Sequence, residues 1–199
     1  MRRPGAAVIL LVLISFFSLT SCFFNRQEPV KSPSPVVSVP PKPKFSPDMV
    51  IADGAGLLSS GEYGKAMEVY KTAVSAHPDE PKLLAAYAGA FERIKNTAEE
   101  SFNQKKRFMY AGELYSLLFR YYGHAKSLGI GLTFGPGFLD GRIKACAKAL
   151  TEQGLALYRE GKLELAVAVW EGVLKFAPDD EEVKKAVNVA RVQMRNLKQ

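Results

Sequence analysis

The chain is poor in the residues from which most active sites and crosslinked folds are built. It has two cysteines and two histidines in 199 residues. His77 and His124 fall in different connections with no Cys or carboxylate at ligand spacing, which argues against a zinc site. There is no Gly-x-Ser-x-Gly elbow, no His-Glu-x-x-His and no Ser-x-x-Lys, so neither hydrolase nor peptidase chemistry has a sequence handle. No catalytic residue, metal or cofactor is therefore expected. Long apolar runs are also missing. The one candidate, Ala6 to Leu19, is 14 residues, short of the roughly 20 that cross a bilayer.

What stands around that run is a basic n-region, Arg2-Arg3, and then Leu19-Thr20-Ser21-Cys22. The tetrad resembles the lipobox of bacterial lipoproteins. The resemblance implies that residues 1–21 are a signal peptide, that the Cys22 thiol receives a diacylglycerol, and that the new amino terminus is acylated, with palmitate among the fatty acids expected. Several chains make such attachment effectively stable, since each buried methylene contributes about 0.8 kcal/mol. In a host with two membranes, lipoproteins kept at the inner membrane typically carry aspartate after the cysteine. Phe23 stands there, so the resemblance places the chain on the periplasmic face of the outer membrane.

The formal charge of +7 falls to +5 when Arg2 and Arg3 are removed. The basic residues are spread along the chain rather than gathered in one stripe, so nucleic acid is not an expected partner. With Cys22 lipidated, Cys146 has no partner for an intrachain disulfide and reads as a small buried apolar residue.

Residues 22–46 carry Pro29, Pro33, Pro35, Pro40, Pro41 and Pro43 among Ser, Val and Lys, with no helical or alternating apolar period. This reads as a disordered Pro-rich linker, roughly 75 Å long as polyproline II or roughly 27 Å root-mean-square as coil. Ser46-Pro47 reads as a helix N-cap followed by proline at the first helical position.

Displacing the chain by one hundred residues brings Gly54 onto Gly154, Gly61 onto Gly161, Ala66 onto Ala166, Tyr70 onto Trp170 and Pro78 onto Pro178. The internal order is a small residue in a first helix, glycine at a turn, alanine and an aromatic in a second helix, then proline. This pattern resembles the tetratricopeptide repeat (TPR), a 34-residue helix–turn–helix. Departures are Val50 at the consensus Trp place of the first repeat and Gln153 at the Leu place of the last.

The resemblance implies an all-α fold over residues 47–199: a TPR-like helical-hairpin solenoid with a C-terminal capping helix. Repeats are expected at 47–80 and 147–180, a degenerate long repeat at 81–126, an insertion loop at 127–138 and the capping helix at 181–199. In the middle unit, Tyr87-Ala88-Gly89 reads as the small-residue site. Thr97-Ala98-Glu99-Glu100 reads as a capping box opening the second helix, which would hold Ala111 and Tyr115 and run to about Tyr122. The last helix places Val183, Ala186, Val187, Ala190, Met194 and Leu197 on one face. Its acidic opening, Asp179 to Glu182, suits a helix N-terminus.

The stretch His124 to Phe138 breaks the helical period, with Leu128, Ile130, Leu132 and Phe134 alternating with small or polar residues. Its apolar face either covers the stack's own core or meets a partner. Its glycines lack the Gly-Lys-Ser/Thr of a phosphate loop.

By the family register, the groove-facing positions of first helices include Arg93, Lys148, Thr151, Leu155, Tyr158 and Arg159. The function expected is a lipid-anchored envelope scaffold that binds a protein or peptide partner, with Lys148 and Arg159 meeting acidic groups and Leu155 and Tyr158 giving apolar contact. The alternatives are a self-assembling structural lipoprotein and a cell-envelope enzyme.

Overall fold

The computed structural model describes residues 45–197 and 199. Residues 1–21, where a signal peptide is expected, together with Cys22, Phe23 and all but the last two residues of the Pro-rich segment, lie outside the described residues. The described residues are all-helical: α1 (Pro47–Ser59), α2 (Tyr63–Ala76), α3 (Pro81–Asn103), α4 (Phe108–Ser127), α5 (Pro136–Arg159), α6 (Leu163–Phe176) and α7 (Glu181–Asn196). Among them there is no strand, and no helix is long and apolar enough to cross a membrane. Each helix packs chiefly against its neighbours in the chain, and α1 also meets α3, α2 meets α4, and α4 meets α6.

The hairpins α1–α2 and α5–α6 repeat each other closely. The Glu62 amide donates to Leu57 O at 2.8 Å and the Lys162 amide to Leu157 O at 2.9 Å. Gly61 and Gly161 turn the two hairpins at φ 79° and 75°, a region in which a side chain costs about 1 to 2 kcal/mol. At the crossing, a Cβ on Gly54 would land inside the Tyr70 ring, and one on Gly154 inside the Trp170 indole. Helices α2 and α6 end two residues before Pro78 and Pro178, because the residue preceding a proline is pushed out of the α region.

The middle hairpin departs from the sequence expectation. Helix α3 runs unbroken through Thr97–Glu100, and the Thr97 hydroxyl donates back to Arg93 O at 3.0 Å instead of capping a helix start. The break comes at 104–107, where Lys106 takes φ 52° and the Arg107 amide reaches Ser101 O at 2.8 Å. A lysine here does what glycine does in the other two turns. Gly89 is not at a close approach, since a Cβ there would meet open space. Ala98 takes the place, five residues before the end of α3, as Gly54 and Gly154 are in α1 and α5; it is fully buried. Ala111 and Tyr115 are fully buried as expected, and α4 extends beyond Tyr122 to Ser127.

The connection between α4 and α5 is residues 128–135, with Pro136 already helical. Ile130 and Phe134 are buried and Leu128 and Leu132 half-buried, so the segment covers the protein's own core. Glu92 on α3 holds it by accepting from the Thr133 amide at 3.2 Å and hydroxyl at 2.7 Å.

At the start of the helical stack the expected N-cap position holds without its side-chain bond, and at the other end one expectation is corrected. Ser46 is the N-cap residue of α1 with Pro47 first in the helix, but its hydroxyl makes no capping bond. Helix α7 buries Val183, Val187 and Ala190, whereas Leu197 lies past its end and is 73% exposed. Asp180 caps α7 by accepting from the Val183 amide at 3.0 Å, so the acidic opening has a structural use.

Candidate functional site

Helix α5 carries two adjacent stripes. Leu139, Cys146, Leu150 and Gly154 are buried against neighbouring helices. Asp140, Lys144, Lys148, Thr151 and Leu155 follow at intervals of three and four residues, which keeps them on one face. That second face forms one wall of a groove of about 880 Å³. Ser116 and Phe119 of α4 form another part of the wall, and the α6–α7 connection with the start of α7 closes the end.

The floor is apolar. Ile143, Ala147 and Phe176 line it, and Phe176 is set in place by α4: a Cβ on Gly112 would collide with its ring. Met109 fills the matching space above Gly172, so α4 and α6 approach at two glycines. Phe119 and Leu155 remain 47% and 39% exposed. Around this floor stand Asp140, Glu152, Asp179, Asp180 and Glu182, with Lys144 and Lys148 as the cations. Lys144 is paired to Asp140 at 2.8 Å.

Of the residues singled out from the sequence, Lys148, Thr151 and Leu155 line this groove together. Tyr158 lies elsewhere: its hydroxyl is 2.6 Å from Gln193 Oε1 on α7, and its ring stands 6.0 Å from that of Trp170. It braces α7. Arg159 is exposed at the last position of α5 and is not part of the lining. Arg93 donates to Ser59 Oγ at 3.3 Å, joining α3 to α1. Cys22 is outside the described residues.

Two contributors were not singled out. Phe119 sits off the stripe of Leu114, Leu118 and Tyr121 that α4 buries, and an apolar residue out of phase was the available signal. The carboxylates of the α6–α7 connection read in the sequence only as a helix opening.

A second polar cluster lies between α2, α3 and α4. The Ser75 hydroxyl donates to Lys71 O at 2.7 Å and stands 3.0 Å from His124 Nε2. In either tautomer of the imidazole this contact ties α2 to α4. His124 Nδ1 and the Tyr87 hydroxyl are buried without partners among the described residues. Desolvation, then the Lys71 ammonium, hold the His124 pKa below its usual value against the weaker opposing pull of Glu68. Cys146 is fully buried, and burial raises its thiol to about 12, so it is not a nucleophile at neutral pH.

No protein-family model, no curated protein and no solved structure matches this chain.

Proposed function

We propose that this protein is a lipid-anchored scaffold of the bacterial envelope, a TPR-like stack of helical hairpins that binds a segment of another protein, and that binding rather than turnover is its role. The observation that carries the reading is the gathering of Lys148, Thr151 and Leu155 on one wall of an open groove whose floor is apolar. Phe119 and Leu155, both exposed in the lining of the same groove, give a partner side chain something to bury, at roughly 25 cal/mol per Å² of apolar surface removed from water. The turn hydrogen bond and the glycine–aromatic crossing that the α1–α2 and α5–α6 hairpins share support the repeat reading.

The anchor rests on Leu19-Thr20-Ser21-Cys22, and Phe23 favours the periplasmic face of the outer membrane. Mass spectrometry of native protein tests it. A mature chain beginning at Cys22 with added acyl mass is expected, and Cys22→Ser should leave the membrane fraction; an unmodified residue 22 would remove the anchor from the account.

Crosslinking in intact envelopes, followed by partner identification, tests the binding role. Specific adducts are expected that disappear with Leu155→Asp or Phe119→Asp and persist with Leu165→Asp on the exposed side of α6. Adducts indifferent to all three changes would contradict the scaffold reading.

A further inference from the structure

We propose that the occupant of the α4–α5–α7 groove is a cationic polypeptide segment with apolar anchors, in which Lys or Arg alternate with residues such as Leu or Phe. The inference rests on the scaffold reading and reverses the charge that the sequence alone suggested for the partner. The chain as a whole is basic, with a formal charge of +7. The groove is not. Its lining has five carboxylates, Asp140, Glu152, Asp179, Asp180 and Glu182, against the two amines of Lys144 and Lys148.

The internal pairing sharpens the imbalance. Asp140 and Lys144 satisfy each other at 2.8 Å. Asp180 spends one oxygen on the Val183 amide. Glu152, Asp179 and Glu182 have no ion pair among the described residues, and Lys148 is the one cation of the lining without one; Lys184, just outside the lining, is paired to Glu181 at 2.8 Å and acts on Asp179 and Asp180 only at longer range. An acidic segment entering the groove would meet like charge on the wall formed by the α6–α7 connection. A cationic segment would place its charges against Glu152, Asp179 and Glu182 while an apolar side chain descends between Phe119 and Leu155 onto Ile143 and Phe176. Sign complementarity of this kind sets which partner is accepted and how fast it arrives, more than how tightly it holds.

The experiment uses full-length, detergent-solubilised protein and two synthetic peptide sets that share their Leu and Phe positions, one with Lys and Arg between them and one with Asp and Glu, titrated by fluorescence anisotropy. The cationic set is expected to bind about tenfold more tightly, with affinity falling as salt rises past about 0.1 M. Combined Glu152→Gln, Asp179→Asn and Glu182→Gln should lower that affinity about tenfold. Combined Asp53→Asn, Asp79→Asn and Glu164→Gln, all exposed and outside the groove, should leave it unchanged. Circular dichroism verifies that both variants keep their helices.

Preferential binding of the acidic set, lost with Lys148→Gln, would overturn this inference and leave the scaffold reading standing. Equal weakening by both triple variants would also overturn it, since the attraction would belong to the surface at large. If neither set binds while envelope crosslinks still depend on Leu155, the cationic occupant is wrong and the groove is retained. If neither set binds and the crosslinks ignore Leu155, both readings fall.

Discussion

Trp170 occupies the space that Gly154 leaves open: a Cβ on that glycine would fall inside the indole, whose Nε1–H donates to Thr151 O at 3.2 Å. Tyr70 and Gly54 have the same relationship one hundred residues earlier, with the Tyr70 hydroxyl donating to Ile51 O at 3.3 Å. The missing side chain and the ring's hydrogen bond together fix how closely each pair of helices crosses. In the α5–α6 hairpin this contact positions Thr151, and so one wall of the groove.

Gly154→Ala should therefore destabilise the protein by about 1 to 3 kcal/mol, the range for overpacking a filled interior. Gly56→Ala, also mid-helix but with open space around its Cβ position, should stabilise it by about 0.5 to 1 kcal/mol through the lower backbone entropy of alanine. Urea denaturation of the two variants checks both signs.

Glu99 is the junction between α3, α4 and α5. It accepts from the Tyr115 hydroxyl, pairs with Arg142 at 2.7 Å and accepts from Asn103 Nδ2 at 3.0 Å. Arg142 in turn lies over the rings of Phe102 and Phe138, at 4.9 and 5.4 Å. Burial, then the hydrogen bond to Glu99, raise the Tyr115 pKa and keep the phenol protonated. Tyr115→Phe should cost about 1.5 to 3 kcal/mol, as for a hydrogen bond to a charged group. Because Tyr115 and Arg142 share one carboxylate, a double-mutant cycle with Arg142→Met should give a coupling of about 0.5 kcal/mol or more, measured by urea denaturation.

His124 ties stability to pH. Its pKa in the folded protein lies below the ordinary 6.5, through desolvation first and Lys71 second, so the unfolded chain binds the proton more readily. The stability it contributes is complete above about pH 6.5 and is lost as pH falls toward and through the folded value. The groups facing it are Ser75, Lys71 and Glu68 from α2 and Tyr87 from α3. His124→Gln should flatten the melting temperature between about pH 7 and pH 5 relative to the parent; an unchanged slope would assign the dependence to other groups.

The two outer hairpins were legible because both spell the close crossing with glycine and the turn with glycine, and both place an aromatic where the crossing leaves room. The middle hairpin hid each of these marks. Ala98 serves at the crossing, Lys106 turns the chain at positive φ, and Thr97 with Glu100 imitates a helix start in the interior of α3. The groove was legible only in part. Spacing along α5 put Lys148, Thr151 and Leu155 on one face, but spacing does not say which neighbour covers the next face, and α7 takes Tyr158. The carboxylates opposite come from the α6–α7 connection, whose position is set by the packing of Phe176 on Gly112, a contact between residues 64 positions apart.

Photocrosslinking in intact envelopes tests the central claim most directly, with a benzophenone amino acid placed at position 155 in the groove or at position 165 on α6. Both sites are exposed, at 39% and 56%. A discrete adduct from 155 with none from 165 is the predicted result. Equal adducts from the two positions, or none from 155, would contradict the assignment of this groove as the binding surface.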